Sequence, residues 1–304
     1  MQNEPFFKRD GQFYVPQPSC RGPWNPQSLH GRVIVGLLGF EIEAKHGSPD
    51  FMPARLTVDM YRLPGFDPIE VKTTVVRDGN RIRVVDAEFI SGGVSMARAS
   101  VQFLKRTENS PGESWHRPDW DVPKPADLEP PTDGRQGMGG MWAMRPITGG
   151  FGQPGPRKTW MSEVREMVDG APLTPFQRVS LAADFSSPFA NSSTEGLGYI
   201  NSDVTVYLHR LPATEWIGFE VADHHATDGV AIGECWLYDE QGPIGQASCA
   251  ALAQRRLTPG APPPAKAKQE PLAPASQPAP RGSQVRPRRA ASRPSGRALS
   301  SGAR

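Results

Sequence analysis

A chain of 304 residues is long enough for two domains that each bury a core. Its formal charge of +2 hides an asymmetry. Beyond Leu257, nine Lys/Arg face the single acid Glu270, a net of about +8, so the remaining 25 Lys/Arg and 31 Asp/Glu leave the body near −6. Cys20, Cys235 and Cys249 form no CxxC pair, which argues against a disulfide framework or a zinc module and fits a reducing compartment.

In chain order, residues 1–11 mix charges with aromatics and lack the apolar run of a secretory signal. The longest nearly apolar run, Val33 to Phe40, falls far short of the ~20 residues of a membrane span, so a cytoplasmic protein is expected. Asn25 as cap and Pro26 at a first helical position precede Val33, Ile34, Leu37, Leu38 and Ile42, a spacing that predicts a helix over about 27–46. Leu56, Val58 and Met60 alternate with polar neighbours as in a strand, and further strands are expected at 69–77, 80–91 and 94–105, with Asp78-Gly79 as a turn. Prolines and glycines from Asn109 onward read as a connecting segment. Thr174-Pro175-Phe176-Gln177 forms a capping box opening a second helix over 175–187. Strands follow at Val204 to Leu208, 215–223, 230–239 and 243–254, with Gln241-Gly242 as a turn.

The two halves repeat. Thr57-Val58 and Arg62-Leu63-Pro64 lie against Thr205-Val206 and Arg210-Leu211-Pro212 at an offset of 148, and the same offset brings Ala99-Ser100 onto Ala247-Ser248. One helix followed by an antiparallel meander, done twice, is an α+β pattern. The natural packing wraps each sheet around its helix, sets the helices roughly parallel, and joins the sheets so that their edges are protected. The expected divisions are an N-terminal domain over 1–108, a linker over 109–137, a C-terminal domain over 138–257, and a Pro/Ala/Arg-rich tail over 258–304. That tail has too little apolar surface to offset its ordering entropy and is read as disordered.

Several residues resemble a known family. Gly22-Pro23-Trp24-Asn25-Pro26 with Leu29-His30-Gly31, then Leu173-Thr174-Pro175, Ala183-Asp184-Phe185, Tyr199 to Asp203, Leu208-His209-Arg210 and Glu215-Trp216, are similar to the thioesterase-like double hot-dog proteins related to bacterial type II acyl-CoA thioesterases. The resemblance covers about 6–257 and implies a tandem hot-dog fold with two central helices. It also implies an acyl-CoA substrate, a role in fatty-acid metabolism, and no cofactor. In those enzymes an Asp, a Thr or Ser, and a Gln hold the water that attacks the thioester. The resemblance places the Asp at Asp184, the hydroxyl position at Asn201 and the Gln at Ala250, so that one position matches, one is a polar substitute and one is lost. Gln102 stands at the repeat-related position of Ala250, but the counterpart of Asp184 falls near Gly36, which leaves the other half without an acid. If the Gln matters, the enzyme is weak, or the chain is a non-catalytic acyl-CoA-binding protein.

Other readings carry less. His30 is expected to support the helix start or line a pocket. Arg210, with Arg62 in the repeat, is a candidate for a CoA phosphate, against the plainer reading of a strand-end ion pair. His224-His225 before Thr227-Asp228-Gly229 has no third ligand at metal-site spacing. Ser186, Ser187 and Cys235 lack a nucleophile-elbow pattern. The basic tail offers arginines to nucleic acid or an anionic surface, but it has no aromatic residue on which a base could stack. Association with further copies is left open. Because the tail contributes no core, deleting 258–304 is expected to leave the thermal midpoint within about a degree of the full chain. A drop of several degrees in a melting curve would show that the tail docks.

Overall fold

The computed structural model describes residues 4–118, 120–131, 142–153 and 155–254. The basic tail and residues 132–141 of the connecting segment lie outside the described residues. The chain opens with a hairpin, β1 (Phe7–Asp10) and β2 (Phe13–Pro16), followed by helix α1 (Gly31–His46). Four strands complete the first half: β3 (Phe51–Met60), β4 (Ile69–Asp78), β5 (Ile82–Ser91) and β6 (Val94–Lys105). The second half repeats the order with β7 (Trp142–Thr148), β8 (Lys158–Glu163), α2 (Pro175–Ala183) and a short α3 (Ser186–Asn191). After two small strands, β9 (Ser192–Ser193) and β10 (Gly196–Leu197), come β11 (Tyr199–Asn201), β12 (Asp203–Leu208), β13 (Ile217–Thr227), β14 (Val230–Asp239) and β15 (Gly242–Ala253).

All but β9 and β10 form one 13-stranded sheet in the order β1-β2-β4-β5-β6-β3-β12-β15-β14-β13-β8-β7, with β11 beside β15. This order reads the same from both ends once β3 is matched with β12, β6 with β15, β5 with β14 and β4 with β13. The repeat offset has a direct physical expression. Strands β3 and β12 pair antiparallel with Thr57 opposite Thr205, and the two hydroxyls hydrogen-bond at 3.1 Å. A pseudo-two-fold axis therefore passes between residues that are 148 apart in sequence.

Strand alternation sends Leu56, Val58, Val204 and Val206 inward, each at most 1 % exposed, onto the helices. The helices run antiparallel, not parallel as the sequence pattern suggested. Gly31 of α1 meets Asp184, Gly36 meets Leu181, Gly39 meets Ser180, and Glu43 meets Thr174. A two-fold that reverses the paired strands must reverse the helices as well. Their approach is close: a Cβ on Gly36 would lie 2.6 Å from Leu181 Cδ2, and one on Gly39 would lie 2.8 Å from the Cβ of Ser180.

Two helix boundaries differ from the expected ones. The first helix starts at Gly31, with His30 as its N-cap, because the preceding residues are committed to extended pairing. Leu29 N–H donates to the Pro64 carbonyl (2.9 Å) and His30 N–H to that of Cys20 (2.8 Å), while Asn25 Oδ1 only closes a turn onto Gln27 N–H (2.9 Å). The second helix breaks at Asp184. Pro188 has no N–H with which to continue the ladder, and Ser186 Oγ donates to the Ala183 carbonyl at 2.7 Å. The connecting segment is also less free than its composition implies. Trp120 stacks on Tyr238 at 4.2 Å, and Trp160 Nε1 donates to the Pro123 carbonyl at 2.9 Å. No helix among the described residues is long and apolar enough to cross a membrane.

Gly39→Ala is expected to destabilise the chain by about 1–3 kcal/mol in denaturant titration. The roughly 1 kcal/mol gained in helix propensity does not offset a clash with the Cβ of Ser180, which has no rotamer that escapes it.

Candidate active site

At one end of the crossed helices, the N-terminus of α1 meets the broken C-terminus of α2 beside a cavity of about 180 Å³. Its walls are mainly apolar, with Trp24, Leu29, Ile34, Met60 and Leu252 around the polar group of His30, Asp184 and Asn201. Asp184 is 3 % exposed and stands at the C-cap of α2. Its carboxylate packs against Gly31, where any Cβ would come within 2.8 Å of Oδ1 and 2.9 Å of Oδ2. Glycine here lets an anion settle at the positive end of the α1 dipole.

Asn201 ends β11, the short strand beside β15. Its Nδ2 donates to Asp184 Oδ1 (2.9 Å) and to the Asp203 carbonyl (3.1 Å). Both amide hydrogens are thereby used, and the amide oxygen remains an acceptor toward the cavity. His30 Nδ1 accepts the N–H of Arg32 at 3.1 Å, so the proton of a neutral ring sits on Nε2. The 3.5 Å approach of that Nδ1 to Asp184 Oδ2 is then a contact with a non-donating atom. Asp184 thus has one oxygen anchored by Asn201 and the other beside a lone pair.

Arg32 was not expected at the site. Its side chain is 1 % exposed, lies between the rings of Phe6 (4.8 Å) and Trp142 (4.4 Å), and donates to Glu163 Oε2 at 2.7 Å. Burial lowers the guanidinium pKa, while Glu163 and Asp184 act in the opposite sense. Burial raises the Glu163 carboxyl, against Arg32 and the N–H groups of Val164 and Arg165. An arginine at the second position of an otherwise apolar helical run was the available signal in the sequence.

Three of the candidate residues do not face the cavity. Arg210 forks onto Asp239 with both contacts at 2.6 Å and donates to the Gly242 carbonyl at 2.9 Å, holding the turn before β15. Burial pushes the Asp239 carboxyl up, but Arg210 and the N–H groups of Ala213 and Gln241 outweigh it and hold it below its ordinary value. Its repeat mate Arg62 lines the cavity instead. Ala250 points outward, because the two-residue period of β15 turns Cys249 and Ala251 inward. Ala250 contributes only backbone, its N–H to Asp203 Oδ1 (2.7 Å) and its carbonyl to Ser202 N–H (3.0 Å). Ala251, 3 % exposed, is the residue directly opposite Asn201. Gln102 also lies on the outer face.

Among the described residues no cluster of three His, Cys, Asp or Glu is arranged to hold a metal ion. His224 Nδ1 meets Asn191 Oδ1 at 2.8 Å, and His225 pairs with Asp223 at 3.1 Å on an exposed strand end. Burial pushes the Cys235 thiol well above its ordinary value and that of Cys249 to about 11, which leaves both as poor nucleophiles.

With this geometry in view, comparison with known proteins decides the family. Residues 20–104 match the acyl-CoA thioesterase N-terminal domain and residues 107–253 the acyl-CoA thioesterase C-terminal domain. The chain belongs to the acyl-CoA thioesterase family. This is a family of thioester hydrolases, and the second match takes in the connecting segment that packs through Trp120. Solved structures with the same fold include a hot dog fold protein of unknown function from Alicyclobacillus acidocaldarius (TM-score 0.65, 16% identity, 82% of this chain and 96% of that chain). The tesB protein of Mycobacterium avium follows at TM-score 0.58 and 16% identity, over 82% and 96%. The acyl-CoA thioesterase II TesB2 of Mycobacterium marinum gives TM-score 0.57 and 17% identity, over 73% and 90%. No curated protein matches significantly.

The opposite end of the helix pair repeats the motif with different chemistry. Glu43 Oε2 accepts from Thr174 Oγ1 (2.6 Å) and Gln177 Nε2 (2.9 Å) at the N-terminus of α2. Burial raises the Glu43 carboxyl, and those two donors pull it back only in part. The folded state therefore holds this proton to higher pH than the unfolded chain does, and stability falls as pH rises through the window just above the ordinary Glu range. Glu43→Gln keeps an acceptor for both donors and removes that loss. Urea midpoints are expected to match the wild type below the window and to exceed it near pH 7; a lower midpoint at pH 7 would show that the charge stabilises the fold.

Proposed function

We propose that this acyl-CoA thioesterase family member hydrolyses an acyl-CoA to the free acid and CoA through a water activated by Asp184, on two paired hot-dog units. The observation that carries this reading is a buried carboxylate held at a helix N-terminus by Asn201, with its second oxygen open beside an apolar cavity. A water donating one hydrogen to Asp184 Oδ2 and the other to the Asn201 amide oxygen has its lone pair free for the thioester carbon. Asp184 takes the proton as the C–O bond forms, and the charge developing on the carbonyl oxygen faces the positive end of the α1 dipole. Collapse of the tetrahedral intermediate breaks the C–S bond, and the proton on Asp184 passes to the CoA thiolate. Arg62 at the cavity supplies the cation for CoA that Arg210 cannot. In this reading the chain acts in the cytoplasm, in fatty-acid metabolism, with its domains dividing near residue 108.

The second reading, an acyl-CoA-binding protein with little turnover, is favoured by Ala251, which offers no side-chain donor opposite Asn201. Free-thiol release over a panel of acyl-CoA chain lengths separates the two. Asp184→Asn is expected to lower kcat by at least about 10²-fold while leaving acyl-CoA binding intact, since an amide keeps the shape but cannot take the proton. Losing one donor from a preorganised site costs ~10²–10³ in rate, so Ala251→Gln is expected to raise kcat by at least about tenfold, and only when Asp184 is present. The outward Ala250→Gln is expected to change nothing. Wild-type turnover in Asp184→Asn would place the chemistry elsewhere, and binding without turnover in every form would favour the second reading.

A further inference from the structure

A larger depression, of about 840 Å³, lies on the outer face of the sheet, away from the helices and from Asp184. Its floor is one cross-strand row spanning five strands. Gln102 of β6 stands opposite Arg55 of β3, Arg55 opposite Tyr207 of β12, Tyr207 opposite Gln246 of β15, and Gln246 opposite Trp236 of β14. Partners in such a row lie about 4.5–5.5 Å apart and point to the same side. Over this floor passes the connecting segment, which brings Trp115 and Arg117 to the groove. Trp115 is 87 % exposed and Tyr207 is 48 % exposed, although both are large rings beside an apolar surface.

The charge is one-sided. No Asp or Glu lines the groove, whereas Arg55 and Arg117 do, in a body whose net charge is near −6. Arg117 is steadied by Glu220 at 3.5 Å and by the Trp236 ring, 4.8 Å from its guanidinium carbon. His209 is tied to the Pro243 carbonyl (2.9 Å) and His116 to that of Arg117 (2.7 Å). Arg55 differs from all of these. Its Nε is enclosed without a hydrogen-bond partner, and among the described residues no carboxylate pairs with its guanidinium. A planar cation standing mid-row without a paired carboxylate favours an anion able to accept two N–H groups from its terminal nitrogens. The tryptophans and Tyr207 favour a planar ring, and the amides of Gln102 and Gln246 supply a donor and an acceptor on either side of Arg55 for the edge of such a ring. The volume falls within the range of small-ligand sites.

We infer that this outer groove is a binding site for a nucleotide, its phosphates on Arg55 and Arg117 and its base stacked between Trp115 and the aromatic floor. The site is separate from the proposed hydrolytic cavity and does not depend on that assignment. The test is calorimetric titration of the full chain with ADP, adenosine and inorganic pyrophosphate. ADP is expected to bind, and adenosine and pyrophosphate each to bind at least about tenfold more weakly, because each supplies only half of the contacts. Arg55→Ala is expected to weaken ADP by at least about tenfold, and Trp115→Ala, at an exposed loop position that does not threaten folding, by about fivefold or more. KM for acyl-CoA should stay unchanged in both variants. Several outcomes would overturn the proposal: no ADP binding at millimolar concentration, pyrophosphate as tight as ADP, or binding that survives Arg55→Ala and competes with acyl-CoA. Sedimentation supplies one more, since loss of a dimer in Arg55→Ala would assign this face to a second copy of the chain.

Discussion

The antiparallel pairing of β3 with β12 fixes more of this molecule than any other contact. It merges two half-sheets into one, so neither half leaves a long edge open at the centre. It also places a pseudo-two-fold between Thr57 and Thr205, and that operator dictates the antiparallel helices. Once the helices are antiparallel, the N-terminus of each lies beside the C-terminal turn of the other. A side chain near the end of one helix is then delivered to the positive end of its partner, twice per molecule. The meeting of Asp184 with the start of α1 is a consequence of the pairing, not of any local motif.

Close approach of the helices depends on what they omit. Gly36 and Gly39 give α1 a flat strip against Leu181 and Ser180, and Gly31 continues it to the Asp184 carboxylate. The charge beside that strip is dearly held. Burying Arg32 and Glu163 together is no gain in itself, since desolvation can exceed the attraction between them. Here the two rings flanking the guanidinium and the Val164 and Arg165 N–H groups on Glu163 Oε1 offset much of it. What the pair secures is the first turn of α1: the residue whose side chain is locked also donates the N–H that fixes the His30 ring.

Much of this was legible in the chain. The offset of 148, the capping box at Thr174 and the period-two strands follow from rules that act over a few residues, and each appears close to its expected place. Asp184 and Asn201, far apart in the fold's construction, do meet, at 2.9 Å. The failures are those of long-range geometry. Asn25-Pro26 has the local chemistry of a helix start, but Leu29 and His30 are claimed by strand-like bonds to Pro64 and Cys20. Ala250 is one residue from the inward position, and in a strand one residue is the difference between the core face and the outer face. Arg210 and Arg62 are equivalent in the repeat, yet Asp239 waits for only one of them, so no pattern in the motif itself could separate the cation at the cavity from the structural one. The strands β1, β2, β7 and β8 are short and border turn-rich sequence, and they take their conformation from the sheet they extend.

The two ends of the helix pair show how a shared architecture holds its carboxylates in two ways. At both, a carboxylate lies at a helix N-terminus, and the N-cap residue decides its fate. Thr174 brings a hydroxyl that donates, and Gln177 adds an amide, so both settle on Glu43 Oε2 and spend it on holding the helices together. His30 brings a ring nitrogen already occupied as an acceptor by the Arg32 N–H, which cannot donate to Asp184. Asn201 anchors Oδ1, and no donor among the described residues is seated on Oδ2. The free oxygen of Asp184 opens on the apolar cavity, where the proposed water would sit, whereas Glu43 takes both its donors from the helix start that it braces and acts as a strut. The difference between the proposed site and the structural joint thus reduces to whether the cap gives a proton or takes one.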